Sequence, residues 1–249
     1  MSTNHMQSIL QDIVSHTQKI GLFNIVKITG TEDKTTIEAV TDDRTVVLQA
    51  ETTNPQPEFI GLFGMPQLEK LRYLLDGKEY QEDAKISLIK EQRNGQDLLT
   101  GLAFENKDGD FKNSYRFMSS EYVNEKLQSA KFKGANWDVT VTPTLSAIQR
   151  FGFQAGANSE HTRFVARTED NALKFVFGDQ GSHAGEFVFA TEVTGKITKA
   201  WAWPINAVLS ILKSADTNNT SISFSNQGAM QITLDSGLGV YKYIIPALV

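Results

Sequence analysis

Three times in this chain an alternating, half-apolar segment runs into a proline and then at once into a helical pattern. The junctions are Met65-Pro66-Gln67-Leu68, Thr142-Pro143-Thr144-Leu145 and Trp203-Pro204-Ile205-Asn206. Proline at the first helical position loses nothing, because that N–H has no intrahelical partner and the fixed φ already suits a helix. Each junction therefore predicts strand, stop and short helix, with the proline opening the helix. After Pro66 the residues Leu68, Leu71 and Leu75 share a face; after Pro143 come Leu145 and Ile148; after Pro204 come Ile205, Val208, Leu209 and Leu212. A fourth helix opens the chain, with Met6, Ile9, Leu10, Ile13 and Ile20 on one side. This is the pattern of an internally repeated α+β protein and not of a doubly wound one.

Between the junctions the segments alternate. Segments 23–29 and 35–40 flank the turn-like Thr31-Glu32-Asp33-Lys34 and predict a hairpin, with another strand at 45–51. Asn54-Pro55-Gln56-Pro57 is a loop, since each proline biases its predecessor away from helix, and 59–63 then enters the second helix. Segments 84–92, 97–105 and 111–118 form a meander whose Asn94-Gly95 and Asp108-Gly109 pairs suit the positive φ of tight turns. From 119 to 136 the periodicity lapses into a polar stretch with scattered Tyr122, Val123, Leu127 and Phe132, which reads as a connector. The second half repeats the grammar: a strand at 138–142, a helix at 144–157, strands at 162–167, 173–178 and 186–193. A strand at 197–203, a helix to Ala215 and strands at 221–225, 230–235 and 240–246 follow. The expected organisation is about four units of helix plus meander, in an N-terminal domain at 1–119, a connector at 120–136 and a C-terminal domain at 137–249.

At 249 residues either one large domain or two ordinary ones can bury a sizeable core, and the repeat favours two. The absence of cysteine removes disulfides, thiol nucleophiles and thiolate metal sites, and fits a reducing compartment. Residues 1–7 are polar, and no run of about 18 apolar residues occurs, so the expectation is a cytoplasmic protein, neither secreted nor membrane-spanning. The net charge of -5 argues against a protein that coats nucleic acid through a basic surface. It leaves room for one that keeps its few cations on a single inner face.

The motifs that suggest chemistry are weak. Loop 178–185 (GDQGSHAG) looks like a phosphate cradle, but a strand follows it where a cradle needs a helix N-terminus, so it reads as a hairpin loop. Residues 106–110 (NKDGD) lack the spacing and closing glutamate of a calcium loop and read as a turn. His5, His16, His161 and His183 stand far apart in no metal-ligand spacing, and none has a nucleophile motif beside it. Nothing demands an active site, a cofactor or a metal. Opposite the apolar faces, each helical segment carries about one cation: Lys19, Lys70, Arg150 and Lys213. An ordinary solvated face looks the same; four helices lining one surface would instead make it weakly basic, suited to sequence-independent phosphate contact.

Segments 203–215 (WPINAVLSILKSA), 220–224 (TSISF), 227–232 (QGAMQI) and 239–247 (GVYKYIIPA) together resemble the last quarter of a DNA polymerase sliding clamp. The family pattern is helix, alternating strand, turn, second strand, and a terminal strand ending in tyrosine, aliphatic residues and an Ala-Pro pair, here inverted to Pro246-Ala247. A helix before the first strand and no acidic tail after Val249 are most similar to the tailed-bacteriophage branch. Coarse organisation matches over nearly the whole chain; residue-level similarity lies in the last 50 or so positions.

The resemblance implies a homotrimeric ring of six domains, with helices lining the hole, that encircles duplex DNA and tethers a DNA polymerase without being an enzyme. A clamp-loader ATPase would seat it. Lys19, Lys70, Arg150 and Lys213 would face DNA. Subunits would join through edge strands 111–118 and 186–193, bringing in Phe111, Tyr115, Phe117, Phe187 and Phe189. Partner proteins would insert a peptide into a pocket walled by Val40, Val46 and Leu48 of the first domain, Tyr122 and Leu127 of the connector, and Ile244, Pro246 and Ala247 of the chain's end. The rival reading is a small-ligand-binding or hydrolytic α+β protein using carboxylates and a histidine. A third keeps the fold but makes it a transcription co-activator or an inert paralogue.

Overall fold

The computed structural model describes residues 3–81, 83–93, 95–127, 132–179, 181 and 183–248. The first half runs α1 (Thr3–Ser15), β1 (Ile25–Gly30), β2 (Thr35–Val40), β3 (Val47–Thr52), β4 (Gly61–Pro66), α2 (Leu68–Asp76), β5 (Lys85–Arg93), β6 (Gln96–Glu105), β7 (Lys112–Arg116) and α3 (Ser120–Lys126). The second runs β8 (Val139–Val141), α4 (Leu145–Ala157), β9 (Arg163–Glu169), β10 (Ala172–Phe177), β11 (Gly185–Ala190), β12 (Ala202–Pro204), α5 (Ile205–Lys213), β13 (Thr220–Ser225), β14 (Ala229–Asp235) and β15 (Gly239–Pro246). A helix followed by a three-strand meander is thus written four times, after α1, α2, α4 and α5.

The chain divides into two units, and each takes a short segment from the far half. Unit 1 is Met1–Val40, Gln49–Ala130 and Gly237–Val240; unit 2 is Thr41–Leu48, Lys131–Ser236 and Tyr241–Val249. Val46 and Leu48 therefore belong with unit 2, not with the first domain as the sequence suggested. Among the described residues no helix is long and apolar enough to cross a membrane.

In unit 1, α1 and α2 pack together, and the strands run β4-β1-β2-β3 in one sheet and β5-β6-β7 in another. Strands β1 and β2 bury alternate residues, Val26 and Ile28 against Ile37 and Ala39, which fixes their register because a one-residue slip would turn the apolar set outward. Gly30 ends β1 where a Cβ would stand 1.9 Å from the Phe59 carbonyl oxygen, so only glycine lets the Pro57–Phe59 turn close over it. In unit 2 the strands run β15-β14-β13-β8 and β11-β10-β9-β12, with α4 packed on β11 and α5. Its core is an aromatic cluster. Phe151 of α4 meets Phe164, Phe175 and Phe187 at centroid distances of 5.0, 5.3 and 6.4 Å, and Trp203 meets Phe224 at 5.3 Å.

Several local expectations are corrected. None of the three prolines opens a helix. Pro66 closes β4 with Gln67 as the cap residue, Pro143 precedes the cap Thr144, and Pro204 is itself the cap of α5. The restriction that proline places on its predecessor keeps Met65 and Trp203 in their strands, whereas β8 already ends at Val141, and each helix starts one or two residues after the proline. Ile20 is buried but lies beyond α1, and Leu145 is 63% exposed, with Ala147, Ile148 and Phe151 forming the buried stripe of α4. The strand expected at 197–203 shrinks to β12. The connector opens as helix α3, capped by the Ser119 hydroxyl accepting from the Tyr122 N–H, with Val123 fully buried. Seven residues with one buried side chain carry too little periodicity to be read as a helix. Asn94 and residues 128–131 of the expected connector lie outside the described residues.

Candidate functional site

The helices present their polar faces in two pairs. In unit 2, α4 and α5 carry Arg150 and Lys213 and contain no carboxylate. In unit 1, α1 and α2 carry Asp12, Glu69 and Asp76 besides Lys70 and Arg72. Lys19, past the end of α1, lies 3.4 Å from Asp76. The four expected cations are all exposed, but their settings differ. Lys19 shares its charge with a carboxylate, Lys70 sits beside Glu69, and Arg150 donates to the Val188 carbonyl at 3.3 Å while its guanidinium lies 5.4 Å from the centre of the Phe187 ring. The Lys213 stem passes beside Gly152 of the neighbouring helix, its Cε 3.9 Å from where a Cβ there would stand. Cations on helices that themselves contain no carboxylate are therefore a property of the unit 2 pair. The same outward faces carry Tyr73 and Phe153, 77% and 74% exposed, which the sequence periodicity did not single out.

The strands expected at the subunit interface, β7 and β11, are both outer strands of their sheets. Their aromatic side chains do not all point outward. Tyr115 is buried and donates its hydroxyl to the Pro66 carbonyl, and burial pushes its phenol pKa up. Phe187 and Phe189 fill the unit 2 core, the latter stacked on Phe175 at 4.3 Å. These three belong to cores, because an alternating strand against a sheet interior turns every second residue inward. Phe111 and Phe117 remain accessible. The outward positions are Lys112, Ser114 and Arg116 on β7 and Glu186 and Val188 on β11.

Of the expected peptide-pocket residues, unit 1 holds Val40, Tyr122 and Leu127 and unit 2 holds Val46, Leu48, Ile244, Pro246 and Ala247. Val46, Leu48 and Ile244 are buried, whereas Val40, Tyr122, Leu127, Pro246 and Ala247 keep accessible surface.

The histidines have local structural partners: His5 meets Gln56 at 3.0 Å, His16 meets Asp12, and His161 meets the His183 carbonyl at 2.8 Å. Among the described residues no group of three His, Cys, Asp or Glu side chains is placed to hold a metal ion. In the 106–110 turn the amide of Asn106 donates to Asp110 and its carbonyl accepts from the Phe111 N–H, so the turn closes on itself. In loop 178–185, Gln180 and Ser182 lie outside the described residues, and Gly185 begins β11.

Comparison with known proteins agrees with this architecture. No family model matches the sequence, and no curated protein matches it. Solved structures do. PCNA of A. fulgidus, determined with the C-terminal region of FEN-1 bound, aligns over 100% of this chain and 97% of its own with a TM-score of 0.68 at 11% identity. PCNA of Thermococcus kodakaraensis aligns over 100% and 98% with a TM-score of 0.66 at 13% identity. At such identities the likeness shows the fold: this chain has the two-domain fold of the PCNA-type sliding clamps, antiparallel sheets with a few helices.

Proposed function

We propose that this protein is a sliding clamp: a homotrimeric ring that encircles duplex DNA and tethers a DNA polymerase, not an enzyme. The observation that carries the reading is the full-length likeness to PCNA clamps, joined to a helix pair in unit 2 that bears cations and no acid. Tethering turns repeated bimolecular polymerase binding into a nearly intramolecular event of high effective concentration. Arg150, Lys213 and Lys70 make loose phosphate contacts, with Lys19 secondary because Asp76 lies 3.4 Å from it. Loose contact suits sliding, since sequence-independent phosphate binding fixes no register.

Subunits join by pairing β7 of one chain with β11 of the next, and ring closure removes both open edges. Basic Lys112 and Arg116 then approach Glu186, with Phe111 and Phe117 supplying apolar contact. Partner proteins, a polymerase and a clamp-loader ATPase among them, use the accessible Val40, Tyr122, Leu127, Pro246 and Ala247. Native mass measurement and retention on circular against linearised DNA test the reading. A trimer that stays on the circle and runs off the linear form is expected; a stable monomer, or equal release from both, overturns it.

A further inference from the structure

A cleft of about 370 Å³ opens in unit 1. Apart from Arg116 and Phe117, its lining belongs to none of the surfaces assigned above. At its base Phe63 and Phe117 are stacked with centroids 4.5 Å apart, and Ile60 and Leu98 stand at its mouth, 47% and 39% exposed. One wall is the outer edge of β4. Gly64 exchanges both of its backbone hydrogen bonds with Met118, at 3.2 and 2.8 Å, so its peptide groups point away from β1. Strand alternation makes Leu62, two residues earlier, point its N–H and C=O the same way, toward the cleft. Opposite Leu62 the chain has already turned into α3, so no strand continues the ladder there. The lining also includes Glu91, Asp97 and Glu121 against Arg116, whose guanidinium lies 2.8 Å from Glu91, so the cleft is acidic.

We propose that this cleft takes an extended segment of a partner protein, rich in Lys or Arg on either side of an apolar residue, which adds as a strand to the edge of β4. Main-chain pairing at Leu62 supplies affinity, and alternate side chains supply specificity. The apolar residue covers the Phe63–Phe117 stack while the flanking cations meet Asp97 and Glu121. The proposal goes beyond DNA tethering and does not depend on it, because every lining residue lies in unit 1.

The test uses the full chain and three labelled octapeptides: KVKIKVKI, its glutamate counterpart EVEIEVEI, and KVKIKVKI N-methylated at alternate residues. Saturable binding of the first is expected, weakened about tenfold or more by either peptide change and by Leu98→Arg or Asp97→Lys in the protein. Both substituted positions are exposed, and thermal unfolding of the variants should match that of the parent. No binding, equal binding of the lysine and glutamate peptides, or affinity indifferent to both substitutions overturns the proposal. So does a concentration-dependent dimer that Leu98→Arg abolishes, which assigns the cleft to a second copy of this chain.

Discussion

Lys213 of α5 stands across from Gly152 of α4: a Cβ on residue 152 would lie 3.9 Å from the lysine Cε and 4.0 Å from Leu209 Cδ1. These are ordinary contact distances. The glycine therefore leaves room for one methyl group and little more.

Gly152→Ala should stabilise the protein by about 0.5–1 kcal/mol, because alanine is the better helix former and meets no clash. Gly152→Leu should do the opposite, because atoms beyond Cβ would run into Lys213 and Leu209. Thermal unfolding followed by circular dichroism distinguishes the two: the midpoint rises for the first variant and falls for the second.

The helix starts offer a second pair of opposite effects. Gln67 caps α2 from the left-handed region (φ 52°, ψ 52°) and makes no side-chain cap bond, whereas Thr144 caps α4 in extended conformation and accepts from the Ala147 N–H at 3.1 Å. A side chain with a Cβ is strained in the left-handed region, so Gln67→Gly should gain about 0.5–1 kcal/mol. Thr144→Ala should lose about 1 kcal/mol with its hydrogen bond. Urea unfolding midpoints report both.

Much of the fold was legible in the chain because its signals are local and repeated. The hairpin β1–β2 is written in alternation around Thr31-Glu32-Asp33-Lys34, and α5 shows its apolar face in Ile205, Val208, Leu209 and Leu212, all buried. What the chain hid is what depends on partners far away in sequence. Helix α3 is fixed by Val123 packing over Gly64, where a Cβ would stand 3.0 Å from the valine Cγ2, and no short-range pattern announces that contact. Tyr115, Phe187 and Phe189 lie on strands correctly read as sheet edges, yet alternation alone cannot say which of the two faces meets a core. The exchange that sends residues 41–48 to unit 2 is likewise a tertiary fact. For the candidate DNA surface, residue type was readable but company was not: Lys19 and Asp76 are neighbours only in the folded chain.

His16 gives a pH dependence of definite sign. Burial works to lower its pKa, but the hydrogen bond to the Asp12 carboxylate, the bond to the Asp12 carbonyl and the Asp12 charge together outweigh it and hold the imidazole above its ordinary 6.5. A raised folded-state pKa contributes stability that is fully present below the unfolded value and is lost as pH rises through the folded one. The urea midpoint should therefore fall as pH climbs above the ordinary 6.5 and through the raised folded-state value, and His16→Gln should flatten that part of the decline. A profile that the substitution leaves unchanged refutes the assignment.

The contrast between the two helix pairs predicts unequal effects on DNA. A cation that neutralises a phosphate releases a counterion, so the slope of log affinity against log salt falls by about 0.9 for each contact removed. Arg150→Gln with Lys213→Gln should reduce that slope and shorten retention on circular DNA. Lys19→Gln should do less, because Asp76 is already 3.4 Å from that ammonium. Arg150 needs a control, since it also bonds the Val188 carbonyl and lies over Phe187. Arg150→Lys keeps the charge but gives up the planar fork that suits both contacts. If the role is phosphate attraction, Arg150→Lys retains the parental slope. A slope that falls as far with lysine as with glutamine shows that Arg150 acts by holding α4 to β11 instead.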